Sequence, residues 1–93
     1  MVIACMTVRL YAAWVRSLKE KRSEVKSLLA KARRTFNVSA AETEAQDMHQ
    51  TIVLSFAAFA AGAAQADSIM DHILNFLEEN SDAVVTRVQR ELR

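Results

Sequence analysis

Val2-Ile3-Ala4-Cys5-Met6-Thr7-Val8-Arg9-Leu10-Tyr11, followed a short way on by Ser17-Leu18-Lys19-Glu20, sets the opening strand and helix of this 93-residue chain. Val2, Ala4, Met6, Val8 and Leu10 alternate with Ile3, Cys5, Thr7, Arg9 and Tyr11, the period-two pattern of a strand with one buried face. The first set belongs to the core. Ser17 and Glu20 have the spacing of a capping box, in which the serine hydroxyl accepts from an early helical N–H and the glutamate reaches back to the cap. A helix therefore starts at Leu18. At about 100° per residue, Leu18, Val25, Leu28, Leu29 and Ala32 share one arc, and Lys19, Arg22, Lys26 and Arg33 fall on an adjacent, narrower one. The helix has an apolar face bordered by a basic stripe.

Working outward, Phe36-Asn37-Val38-Ser39-Ala40 alternates again and reads as a second strand, with Phe36, Val38 and Ala40 inward. Thr51 to Ala60 is rich in β-branched and aromatic residues and reads as a third. Between them, residues 42 to 50 are polar and acidic and suit a solvated hairpin connection. Helical spacing returns with Ala66, Ile69, Met70, Ile73, Leu74 and Leu77, and Asp67 complements the helix dipole near its start. Asn80-Ser81-Asp82 stops this helix. Ala83 to Leu92 closes the chain as a fourth strand, with Arg87, Gln89 and Glu91 on one side.

The order strand, helix, strand, strand, helix, strand is that of a split βαβ unit. The expectation is an α+β, ferredoxin-like βαββαβ fold, a four-stranded antiparallel sheet with two helices on one face, because right-handed crossovers place both helices together. The chain, residues 1–93, is expected to form a single domain, and the open sheet face is expected to bear Thr7, Arg9, Tyr11, Asn37, Ser39, Arg87 and Gln89 with Ile3 and Val85.

With 52% hydrophobic and 25% charged residues, the composition is that of a folded soluble domain, not of a disordered segment. Cys5 is the only cysteine, which excludes an internal disulfide and fits a reducing cytoplasm. Residues 52 to 66 are uncharged, but Ser55, Gly62 and Gln65 interrupt the run, and it is shorter than the roughly 20 residues a bilayer needs. No membrane association is expected.

The formal net charge of +1 hides a segregation. Residues 1–41 carry nine Lys and Arg against Glu20 and Glu24, whereas residues 42–83 carry eight acids and no Lys or Arg. Such asymmetry points to a charged partner, nucleic acid first.

Several stretches together resemble one family. Arg16-Ser17-Leu18-Lys19-Glu20-Lys21-Arg22, Val25-Lys26-Ser27-Leu28, Phe36-Asn37-Val38-Ser39, and Glu42 with Gln46-Asp47 and Gln50 closely resemble the YlxP-like family of small bacterial proteins, a domain of unknown function. The resemblance spans almost the whole chain. It implies a ferredoxin-like fold and a bacterial cytoplasmic setting, with family genes often lying near those for translation initiation and ribosome-maturation factors. No reaction is implied. The chain departs from the family at His49, where an aromatic residue is usual, at Ala60-Ala61-Gly62-Ala63, where a Ser-Asn-Asp type of turn is frequent, and at Trp14 in the first connection.

The basic stripe is the strongest functional signal, since lysines and arginines on one helical face neutralise phosphates and release condensed counterions. The nucleic-acid-binding candidates are Arg16, Lys19, Arg22, Lys26, Arg33 and Trp14, with Trp14 and Tyr11 placed to stack on unpaired bases beside Arg9 and Arg16. The bland alternatives are a solvated helix face for the stripe and a lid over the helix end for Trp14. Glu42, Glu44, Asp47 and His49 crowd a short loop, but their spacing matches no metal loop, and neither metal nor cofactor is expected. An acylphosphatase-like activity is disfavoured, because the connection Ala12-Ala13-Trp14-Val15-Arg16 offers an arginine but no glycine-rich loop to cradle phosphate.

The expected function is that of a non-catalytic, cytoplasmic accessory protein that binds RNA or a ribosomal particle through its first helix. The alternative is a protein-interaction or homodimer module pairing through the open sheet face or an edge strand.

Overall fold

The computed structural model describes residues 1–93, in the order β1 (Val2–Tyr11), α1 (Leu18–Thr35), β2 (Ser39–Glu44), β3 (Thr51–Ala60), α2 (Ala63–Asn80) and β4 (Val84–Leu92). The strands form one four-stranded antiparallel sheet in the order β2-β3-β1-β4. This is the expected ferredoxin-like arrangement. The two longest partners, β1 and β3, lie at the centre and pair without interruption from Val2↔Ala60 to Tyr11↔Thr51.

The even positions of both central strands face the helices. Ala4, Met6, Val8 and Leu10 of β1 join Ile52, Leu54, Phe56, Ala58 and Ala60 of β3 beneath Val25, Leu29 and Ala32 of α1 and Ala66, Met70, Ile73 and Leu77 of α2. These residues form one core, and burial of their side chains supplies the main driving force for folding. At the far end of the helical layer, Phe36 and Phe76 pack edge to face with centroids 5.5 Å apart, a favoured aromatic geometry.

Local signals account for the boundaries. Ser17 Oγ accepts from the Glu20 N–H at 3.1 Å and so fixes the start of α1 at Leu18. Helix α2 begins at Ala63, earlier than its apolar spacing alone indicates, with extended Gly62 as its N-cap. Gln65 Oε1 takes the Ala61 N–H there, so a side chain from the first turn anchors the incoming chain.

Two sequence expectations need correction. The second strand is not Phe36–Ala40 but Ser39–Glu44. Helix α1 runs on to Thr35, and Phe36 is its C-cap, donating its backbone N–H to the Ala32 carbonyl at 2.8 Å. Phe36 and Val38 still pack against the core, which produced the apparent alternation. The inward row of β2 then continues from Ala40 to Glu42, a position whose charge disguised it as loop. The connection shrinks to residues 45–50, where Ala45 takes a left-handed conformation with φ 57°.

The second correction concerns Val85. A register shift opposite Arg9 and Leu10 sets Val84 against Tyr11 and Val85 against Leu10. Val85 therefore lies on the helix side, packed against the core. The shift leaves Arg87, Gln89 and Glu91 opposite Arg9, Thr7 and Cys5, on the open face as expected.

Candidate functional site

Helix α1 leans over β2, and α2 lies over β1 and β4 beside it. Glu24 marks the flank of α1 that faces α2, accepting a hydrogen bond from Ser81 Oγ at 3.1 Å. The other flank looks out past the β2 edge of the sheet. Lys19, Arg22, Lys26 and Arg33 project along it, all exposed. Lys31 and Arg34 extend the basic surface around the C-terminal half of the helix, where cations also suit the helix dipole.

None of these six side chains lies within ion-pair distance of a carboxylate; the pairs in the molecule are Lys21 with Glu42, Arg90 with Asp67 and Asp71, and Arg93 with Glu91. The positive flank is thus electrostatically open. Arg33 differs from the others in having a backbone partner, for its guanidinium donates to the Ala40 carbonyl on β2. Its charge remains available while its position is fixed.

The connection before α1 is held from the opposite hairpin. Gln50 Nε2 donates to the Ala13 carbonyl at 2.9 Å and to the Val15 carbonyl at 3.3 Å, and the Gln50 carbonyl accepts from the Ala12 N–H at 2.8 Å. Val15 is buried beneath this staple. Trp14 and Arg16, on either side of Val15, point to different surfaces.

Arg16 lines an open depression with Tyr11, Met48, His49 and Gln50. Trp14, 39% exposed, lies instead in a shallow groove with Lys19, Glu20, Ser23, Glu24 and Ser27 along the outer side of α1. The structure therefore sets Trp14 beside Lys19, at the end of the basic stripe, with Glu20 and Glu24 lining the same groove, and separates it from Tyr11 and Arg16. Arg9 stands apart again, on the open sheet face opposite Val53 and Arg87.

Lys21 was not singled out by the sequence and is the most unusual residue of the helix. It is fully buried, with Nζ 2.9 Å from Glu42 Oε2 and a hydrogen bond to the Ala45 carbonyl. The sequence does hold a signal for it. Lys21 lies on the apolar arc between Leu18 and Val25, and Glu42 follows Ala40 on the inward row of its strand. Because Glu42 turns inward to Lys21, it is withdrawn from Asp47 and His49, and the acidic loop does not converge as one cluster.

On the other helix the exposed charges are negative. Arg90 of β4 reaches Asp71 at 2.6 Å and Asp67 at 3.9 Å, while Glu78, Glu79 and Asp82 stand exposed near its end. At the end of β4, Arg93 lies 2.8 Å from Glu91, and its hydrogen bonds and charge hold the Glu91 carboxyl below the usual carboxylate range.

Comparison with known proteins agrees with this architecture. The chain is similar to the uncharacterized protein YlxP of Bacillus subtilis (strain 168), with 31% identity over 75 residues, covering 78% of this chain and 82% of that protein. Among solved structures it resembles a de novo designed protein with ferredoxin fold, at TM-score 0.65 and 18% identity over 100% of this chain and 86% of the other. It also resembles the de novo designed protein Foldit4, at TM-score 0.51 and 12% identity over 99% of this chain and 94% of the other. These structural likenesses speak to the fold alone. The model of the family described as "Protein of unknown function (DUF503)" matches residues 3–90, and this chain, YlxP-like in sequence and ferredoxin-like in fold, belongs to that family.

Proposed function

We propose that this protein is a non-catalytic cytoplasmic accessory factor that binds structured RNA, ribosomal RNA foremost, through the outer flank of α1 and the connection before it. One observation supports this above the others: Lys19, Arg22, Lys26, Lys31, Arg33 and Arg34 are all exposed on one helix and none of them is ion-paired. Solubility alone does not call for such a concentration of one sign. A row of unpaired cations at helical spacing suits successive phosphates, and their neutralisation releases counterions from the nucleic acid.

The roles divide by position. Lys19, Arg22 and Lys26 contact phosphates along the flank, and Arg33, fixed by its bond to the Ala40 carbonyl, sets the far end of the footprint. Trp14 stacks on an unpaired base at the near end, next to Lys19. Arg16 serves the rim from the neighbouring depression. Most of these contacts would be to the backbone, so shape and charge dominate over base sequence.

The test is a triple variant, Lys19→Gln, Arg22→Gln and Lys26→Gln, assayed for co-sedimentation with ribosomal particles and for RNA affinity across salt concentrations. All three side chains are exposed, so the circular dichroism spectrum should match that of the parent. Affinity should fall, and the slope of log K against log salt should flatten by roughly two to three units, just under one per lost phosphate contact. Parent-like binding by the triple variant would refute this role for α1.

A further inference from the structure

The two edges of the sheet are treated differently. At the β2 edge the strand is only six residues long and carries a register shift between Glu42 and Glu44. Side chains also cover its outward carbonyls: Arg33 donates to that of Ala40, and Gln46 Nε2 to that of Glu42 at 3.4 Å. These are devices that stop an edge from recruiting another strand. The β4 edge is less protected: its one register shift lies near its start, opposite Arg9 and Leu10, and no side chain is bonded to the outward carbonyls of Val88, Arg90 or Leu92. It is nine residues long, contains no proline, and no element lies beyond it in the sheet.

The bonding pattern shows which groups this edge offers. Ile3 and Arg93 exchange both backbone bonds, at 3.0 and 2.9 Å, so the backbone of Arg93 faces β1. By strict alternation along an antiparallel ladder, Glu91, Gln89 and Arg87 also face β1. The N–H and C=O groups of Val88, Arg90 and Leu92 therefore point outward, away from the sheet.

We propose that β4 is a self-pairing edge, through which two copies of this chain join antiparallel about a two-fold axis at Gln89 to make one continuous sheet. In this register Val88 and Arg90 of each copy exchange backbone bonds with Arg90 and Val88 of the other. On the open face Arg87 stands opposite Glu91 of the second copy, twice, at the non-hydrogen-bonded positions where cross-strand side chains approach most closely.

Charge selects this register from its neighbours. Moving the axis to Arg90 would set Arg87 against Arg93, two like charges, and moving it to Val88 would leave Arg87 opposite Gln89 and Glu91 opposite Val85. Length selects it too. Beyond the register shift at Arg9 and Leu10, the regular part of β4 runs from Arg87 to Leu92, and an axis at Gln89 uses that stretch while leaving the irregular part outside. Arg90 is already paired with Asp67 and Asp71 within its own copy and does not oppose association as a free charge. Glu91, which holds Arg93 in its own copy, would be shared between Arg93 and Arg87 of the second copy.

The axis is perpendicular to the sheet, so all four helices of the pair stay on one face, with the two α1 helices at its opposite ends. This inference is independent of the RNA reading, because β4 and α1 lie at opposite edges of the sheet.

Sedimentation of the full chain without RNA tests it. The weight-average mass should climb from 10.4 kDa towards twice that value as concentration rises. Arg87→Glu and Glu91→Arg should each weaken association roughly tenfold or more by replacing both attractive pairs with repulsive ones. The double variant, with the charges exchanged, should regain it. In a Cys5→Ser background, Gln89→Cys should oxidise to a cross-linked dimer, since a non-hydrogen-bonded pair brings the two Cα atoms to about 4.5 Å; Val88→Cys should not. A monomer at every concentration, a double variant as weak as the singles, or cross-linking through position 88 in place of 89 would each overturn the proposal. RNA binding retained by the Arg87→Glu variant would show that the two surfaces act separately.

Discussion

Lys21 is the residue whose chemistry says most about the first half of the fold. A fully buried ammonium beside Glu42 costs several kcal/mol in desolvation, which the pair offsets only while both partners are present. Replacing Lys21 with Met leaves the Glu42 carboxylate, 15% exposed, without its cation. That variant should lose about 3–5 kcal/mol. Adding Glu42→Leu should recover most of the loss, because an apolar pair of similar volume satisfies the same space. Chemical denaturation of the four members of this cycle measures the coupling. The pair also explains why the sequence pattern places β2 too early. A strand that buries a glutamate beneath a lysine from another element breaks the hydrophobic alternation by which strands are recognised, and the compensation is invisible until the helix is folded over it.

At the scale of elements, the sequence was most legible where a local rule and a tertiary demand coincide. The alternation of β1, the start of α1 at the Ser17 cap and the apolar arc of α1 all appear in the structure, since each follows from spacing within its own segment, although of the capping box only the Ser17 half is formed. Leu28, on that arc, is buried to 2% exposure. Leu28→Ala should therefore destabilise the protein by about 2–5 kcal/mol, seen as an earlier denaturation midpoint. Boundaries set by other elements were harder to read. The register shift that sends Val85 inward depends on how β4 meets β1, and the early start of α2 depends on Gln65 reaching back to Ala61. The candidate stripe was legible as helical spacing, whereas the parting of Trp14 from Arg16 was not, because it follows from the way Gln50 grips the carbonyls on either side of Trp14.

For the whole molecule, the separation of charge along the chain becomes a separation in space. Basic α1 and acidic α2 lie side by side on one face, so the near-zero net charge conceals a strongly bipolar helical layer. Both helices nevertheless share one core with the central strands, and neither half has a hydrophobic centre of its own. Unfolding should accordingly be a single cooperative event. Thermal curves followed by backbone circular dichroism and by the fluorescence of Trp14, the only tryptophan, should superimpose. A separate early transition in the fluorescence would reveal a first connection that melts by itself.

The Gln50 staple ties together segments that stand 35 to 37 residues apart in the chain. Neither loop can swing away without breaking the same bonds, so their excursions into solvent are one shared fluctuation. Amide deuteration should show it: the Ala12 proton, bonded to the Gln50 carbonyl, should exchange slowly for a loop residue, and Gln50→Ala should raise the exchange rates of residues 12–16 and 45–50 together, leaving those of the central strands unchanged. The two surfaces that present Trp14 and Arg16 are in this sense tuned together from the far hairpin, by one side chain that grips the backbone between them.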